Sequence, residues 1–244
     1  MAHIETHSEL DLESPVLVEG LPGVGLVGKI ATDHIINSFE MEHFASCHCE
    51  GLPRVATYEA GSHQIRPPIR IYGDERRDLL ALQSDVPVSP ETAPSFASCV
   101  TGWLDEHDVT PICLSGLPAE KDDVPKMYGI GTGDSDELLD EHDIDAPDQN
   151  GLISGPTGAL LAEAGEHELG AVGLIVQSNK QFPDPEAARI LLLEGIEPIA
   201  GISVETESLV EKAEEIADAK ENLAKQMEQA TQESSQAQPL GMYQ

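Results

Sequence analysis

Positive charge is what this sequence has least of. Lysine and arginine together number 13, against 45 aspartates and glutamates, for a formal net charge of −32 over 244 residues. A chain this acidic repels nucleic acid and anionic membranes, so both are poor partners. Aromatic residues are scarce, at 4%. Four cysteines, Cys47, Cys49, Cys99 and Cys113, are too few in a chain of this length for a disulfide framework, and buried reduced thiols are expected. No stretch approaches the ~20 apolar residues that cross a bilayer. The opening residues, MAHIETHSELDLESP, are polar and acidic without a signal-peptide pattern, which points to the cytoplasm.

What is present is enough to fold. Hydrophobic residues make up 40% of the chain, so the acidity does not mean disorder. The composition fits a folded protein from a high-salt cytoplasm, where concentrated salt screens the self-repulsion of an acidic surface.

Apolar strands alternate with helical segments. Val16–Val18 reads as a buried strand, and Gly25–Phe39 as a helix with Leu26, Ile30, Ile35 and Ile36 on one face. EHFASCHCE is a second strand. Ile69–Tyr72 and Leu79–Gln83 form a hairpin across GDERR, with Pro67 and Pro68 before it. A helix is expected over Ser89–Asp108 with Pro90 at its first position, then a strand at TPICLSGLP. KMYGIGTGDSDELLDEHDID reads as a loop and a short helix. Gly155–Gly165 is helical, LGAVGLIVQS is a strand, and DPEAARILLLEGI is a helix started by Pro185.

The pattern predicts an α/β fold: a single sandwich domain over residues 1–202, with a largely parallel central sheet plus a hairpin. Residues 203–231 are expected to form an amphipathic C-terminal helix. Leu209, Ala213, Ile216, Leu223 and Met227 make a narrow stripe along it, with Lys220 filling the missing step. That stripe fits either a helix packed along its own domain or one that pairs with another chain. Residues 232–244 lack periodicity and are expected to be a flexible tail.

The densest motif is EGLPGVGLVGKI, Glu19–Ile30. Gly23, Gly25 and Gly28 spell the G-x-G-x-x-G of a dinucleotide loop, and Gly23–Lys29 spells most of a P-loop. Ile30 stands where the P-loop needs a hydroxyl to bind magnesium, which removes that reading. Glu50, after the second strand, is where a ribose ligand would be sought. Against the dinucleotide reading stands a simpler one, in which the glycines permit a tight strand-to-helix turn and close packing. The Cys47-His48-Cys49 cluster has no second pair at zinc-finger spacing, so no metal is expected. The acidic run Asp134–Asp148 lacks EF-hand spacing.

LVEGLPGVGLVGKIATDHII closely resembles the strand, glycine loop and helix of the archaeal proteasome assembly chaperone family, and the later elements through GAVGLIVQS fit the same family. The resemblance implies an α/β sandwich that forms homo-oligomers, with neither catalysis nor a cofactor. Some members end in a hydrophobic-Tyr-any tail that docks between α-subunits of the 20S proteasome, and Met242, Tyr243 and Gln244 match that tail. The partners it implies are 20S α-subunits and other copies of this chain. Gly20, Pro22, Gly23, Gly25 and Gly28 then become a structural glycine loop. The family's loose kinship with ATP-grasp enzymes keeps a nucleotide-binding enzyme as one alternative. An oligomeric interaction scaffold is another.

Overall fold

The computed structural model describes residues 3–58, 60–119 and 124–216. An eight-stranded mixed sheet forms its centre. Its strands are β1 (His3–Thr6), β2 (Val16–Gly20), β3 (Glu42–His48), β6 (Ile69–Asp74), β7 (Leu79–Ser84), β8 (Thr110–Pro118), β9 (Met127–Thr132) and β10 (Ala171–Ser178), in the spatial order β1-β3-β6-β7-β2-β8-β10-β9. A separate two-stranded hairpin, β4 (Thr57–Tyr58) and β5 (Ile65–Arg66), lies in the connection from β3 to β6.

The middle four strands β7, β2, β8 and β10 are parallel. The flanking pairs are antiparallel. This is the expected α/β sandwich with a parallel centre and a hairpin. The central strands are apolar on both faces, as parallel strands covered by helices must be. Along β7, Leu80 and Leu82 enter one core while Leu79 and Ala81 enter the other, following the two-residue period of a strand.

Helices cover both faces. α2 (Ala93–Glu106) packs on α4 (Gly155–Glu166) over the first core. α1 (Val27–Ser38) packs on α5 (Pro185–Ile190) over the second. α5 continues through a π-helical turn, Leu191–Ile196, into α6 (Glu197–Ala200). The short helix α3 (Ser135–Glu141) follows β9, and Leu139 buries in the second core.

A last helix, α7, begins at 207 and is described to 216. Leu209 is 1% exposed and belongs to the second core, so the start of α7 packs against its own domain. The stripe residues Lys220, Leu223 and Met227, and the tail with Met242, Tyr243 and Gln244, lie outside the described residues. No described helix is long and apolar enough to cross a membrane.

Two expectations are corrected, and one strand was not anticipated. α2 begins at Ala93, not beside Pro90, because the Ser89 carbonyl accepts from Thr92 N (3.0 Å) and Ala93 N (2.9 Å) in a preceding turn. Pro94 takes the first-turn role instead. MYGIGT is strand β9 rather than loop. Its glycines hide the strand pattern, yet Gly129 is needed: a Cβ there would meet Leu139 Cδ2 at 2.5 Å and Ile144 Cγ2 at 2.7 Å. The unanticipated strand is β1, an edge strand whose mostly exposed residues carry no apolar alternation. Backbone pairing with β3 creates it.

Candidate functional site

The glycine motif lies where α/β sheets commonly hold ligands, at the carboxyl ends of parallel strands. β2 stops at Gly20, and the chain makes a short turn of 3-10 helix, Val24–Leu26, before α1. Gly25 has φ +63°, and Leu26 follows in the left-handed region at φ 51°. The loop is pressed onto the ends of its neighbours. A Cβ on Gly25 would meet Ser178 Oγ at 1.9 Å, and one on Gly116 would meet the Val24 carbonyl oxygen at 2.4 Å. Gly28 lets α1 approach β8, with Leu114 Cβ 3.2 Å from where a Cβ would sit, and Gly20 abuts Thr32 of α1. Gly23 has nothing within 4 Å, and its backbone is extended.

Under the loop lies a carboxylate that the motif does not advertise. Glu19 is fully buried. Its Oε1 accepts from Leu21 N at 2.9 Å and its Oε2 from Leu114 N at 3.0 Å. The Thr157 hydroxyl, in the first turn of α4, lies 3.3 Å from both oxygens. One side chain thus ties the glycine loop, β8 and α4 together at the point where β2 and β8 part. Burial pushes the Glu19 carboxyl up to about 7 against its three hydrogen bonds. The neighbouring Cys113 thiol is raised by its own burial and then by the Glu19 charge.

A second carboxylate closes the far side. Asp184, 5% exposed, accepts from Asn179 N at 2.7 Å and caps α5 by accepting from Ala187 N at 3.1 Å. Its own backbone N–H donates to the Gly25 carbonyl at 2.9 Å.

Two features of the loop differ from those of a phosphate cradle. Such a loop aims free N–H groups at an anion. Here Leu21 N is engaged by Glu19 and Leu26 N by the Gly23 carbonyl, with a carboxylate beneath them. Lys29 faces sideways, 3.0 Å from Asp33 and 3.6 Å from Asp85. Glu50 is exposed after β3. That strand stands three positions from β2, roughly 14 Å away at ordinary strand spacing. Glu50 and the glycine loop therefore do not share a site, which corrects the ribose-ligand expectation.

Asp85 also pairs with Arg70, at 2.8 Å. Arg70 is 4% exposed and donates to Tyr72 Oη (3.0 Å), the Pro67 carbonyl (2.6 Å), Thr57 Oγ1 (3.1 Å) and Gln83. Gln83 donates to Asp33 at 3.0 Å. This part-buried network braces the ends of β6 and β7 against α1.

Cys47 and Cys49 share the inner face of the sheet, and His48 points outward to Glu5 at 3.3 Å. Cys49 hydrogen-bonds with Cys99 of α2, which with burial raises its thiol. Among the described residues, no three His, Cys, Asp or Glu side chains sit so as to hold a metal ion.

Glu19 and Arg70 escaped the sequence reading. The available signal was a charged residue inside an otherwise apolar strand, VLVEG and IRIY, since such groups are buried only when partnered.

Comparison with known proteins places this geometry in context. The PAC2 family profile matches residues 17–224. The uncharacterized protein MJ0106 of Methanocaldococcus jannaschii is 28% identical over 222 residues, covering 90% of this chain and 89% of its own length. The crystal structure of Pyrococcus furiosus PbaA, described as an archaeal homolog of proteasome-assembly chaperone, is similar at 25% identity and a TM-score of 0.76, covering 95% of this chain and all of the other. Pyrococcus furiosus PbaB, described as an archaeal proteasome activator, shares the fold at 22% identity and a TM-score of 0.78, over 91% of this chain and 98% of its own.

Proposed function

Because the chain belongs to the PAC2 family, we propose that it is a non-enzymatic proteasome assembly chaperone or proteasome-binding factor working in a high-salt cytoplasm. The observation that carries this reading is the full-length similarity to PbaA, at 25% identity over 95% of this chain. Its partners are α-subunits of the 20S proteasome. The glycine loop is structural on this reading: Gly20 and Gly28 give the close approach of α1 to the sheet, Gly25 lets the turn press on Ser178 of β10, and Pro22 and Gly23 shape the turn.

Docking falls to Met242, Tyr243 and Gln244. An apolar Met and a Tyr ring together suit a small pocket in which the phenol finds one hydrogen bond. Such contacts act at short range, which suits a cytoplasm where salt screens attraction beyond a few ångströms. One short segment binds weakly, and several on one assembly gain avidity.

The test is capture of purified 20S proteasome by the full chain in molar potassium chloride. We expect binding by the full chain and at least a tenfold loss on deleting residues 242–244 or in Tyr243→Ala. Equal capture by the deletion removes the docking segment from the reading. No capture by the full chain removes the proteasome role.

A further inference from the structure

Three of the four cysteines gather where β3 leaves the sheet. Cys47 and Cys49 are 3% and 7% exposed and belong to the first core. Cys99, in the second turn of α2, is half-buried and packs against the same core. The backbone between them is fastened. Thr92, at the start of α2, donates its hydroxyl to the Gly51 carbonyl at 3.2 Å. A Cβ on Gly51 would meet that hydroxyl at 2.9 Å, so the chain just beyond Cys49 lies directly on the helix. The fourth cysteine, Cys113, is on β8, four strand positions from β3.

Within this group Cys49 and Cys99 are hydrogen-bonded to each other, and the bond is unequal. The Cys49 S–H is the donor, and this bond together with burial pushes its thiol up. The same bond pulls the Cys99 thiol down. A partly accessible, more readily ionised thiol backed by a buried protonated one is the arrangement of an attacking and a resolving cysteine. Cys113 has no such partner among these thiols, and burial raises it, followed by the Glu19 charge.

We propose that Cys49 and Cys99 form a reversible disulfide, made by exchange with a low-molecular-weight disulfide, that clamps the exit of β3 to α2. The Cys99 thiolate attacks one sulfur of the incoming disulfide, whose S–S bond breaks, and one small thiolate leaves and takes up a proton. Cys49 gives its proton to solvent, attacks the Cys99 sulfur and displaces the second small thiolate, which is protonated in turn. Two protein S–H groups and one external S–S bond become one internal S–S bond and two small thiols. The protein sulfurs are oxidised and the external pair is reduced. Disulfides in reducing compartments are of this transient kind. The closed loop spans about 50 residues and holds β4 to β7, so closing it constrains the unfolded chain and stabilises the fold. The connection from Cys49 to β4 is then held on α2 at two points, the Thr92 hydrogen bond and the new bond. No step involves the proteasome, so the clamp stands or falls apart from the function proposed above.

The test uses the full chain in molar potassium chloride, incubated with an excess of oxidised over reduced glutathione and then blocked with N-ethylmaleimide. Intact mass should show one internal disulfide in the wild type, reversed by dithiothreitol, and peptide mapping should place it between Cys49 and Cys99. The disulfide should persist in Cys47→Ala and Cys113→Ala. Cys99→Ala should form none, and Cys49→Ala should stop at glutathione attached to Cys99. Cooperative melting of each reduced variant checks that it is folded, and the map of the unsubstituted chain locates the bond without any variant. Oxidation should raise the wild-type melting temperature by at least about 4 °C and leave Cys49→Ala unmoved. A wild type that stays reduced, or carries only bound glutathione, overturns the proposal. So does an internal disulfide that survives in Cys49→Ala or Cys99→Ala, and so does an oxidised wild type that melts no higher than the reduced one.

Discussion

The carboxyl end of the central sheet and the β4–β5 hairpin are opposites. At the first, a loop that spells a nucleotide motif is closed by its own protein: Glu19 accepts from the loop, from β8 and from α4, and Gly25 leaves no room beside Ser178. At the second, a segment with no recognisable motif exposes Tyr58 and Ile65 and gathers arginine. Motif spelling therefore located a closely packed turn, and burial located exposed apolar side chains. Exposed apolar surface is the more direct signal of recognition, because a group already satisfied inside the fold has little left to offer a ligand.

That contrast can be broken most sharply within the motif itself. Gly25→Val combines a left-handed backbone with a side chain driven into Ser178, and should cost about 3 kcal/mol or more of unfolding free energy. Gly23→Ala, in extended backbone with open space around it, should change stability by no more than about 0.5 kcal/mol. Denaturant unfolding in molar salt reads both. Equal losses at the two glycines would defeat the packing account of the loop.

Glu19→Gln sharpens it next. Burial places the folded-state value at about 7, above the ordinary 4.5. The folded protein then holds a proton that the unfolded chain releases between those values. The stability from this group is full below about pH 4.5 and is lost as pH rises through about 7. Glutamine does not titrate. Its stability relative to wild type should therefore climb across that window, by on the order of 3 kcal/mol at most. Other carboxylates cancel in the difference. A wild-type-minus-variant gap that stays flat with pH would show that the three hydrogen bonds fully offset burial.

The smallest effect is expected at the hairpin. Tyr58→Asp with Ile65→Asp removes side chains that are mostly in water, so the unfolding free energy of the monomer should move by less than about 1 kcal/mol. A loss comparable to that at Gly25 would mean the hairpin belongs to the core.

Much of the architecture was legible because local chemistry and global fold agree along it. VLV, LLAL and LGAVGLIV are continuous apolar runs, and strands covered on both faces require them. The strands that escaped notice, β1 and β9, lack that agreement. His3–Thr6 is polar and becomes a strand only because β3 offers an edge. Gly129 trades strand propensity for clearance to Leu139 and Ile144. The candidate site was less legible. Glu19 and Arg70 are separated by 51 positions from each other and by more from some partners, such as Thr157, 138 residues beyond Glu19.

By itself, the sequence determined the class of fold, the acidic surface, the loss of the P-loop at Ile30 and the resemblance to a chaperone family. These follow from composition, period and adjacent residues, which need no third dimension. Only the tertiary structure decided that the glycine loop sits on a buried carboxylate, that Glu50 stands three strands away from it, and that Arg70 is buried against Asp85. Those are consequences of strand order. A chain that places its second strand beside its seventh and eighth sets distances between residues that no local pattern encodes.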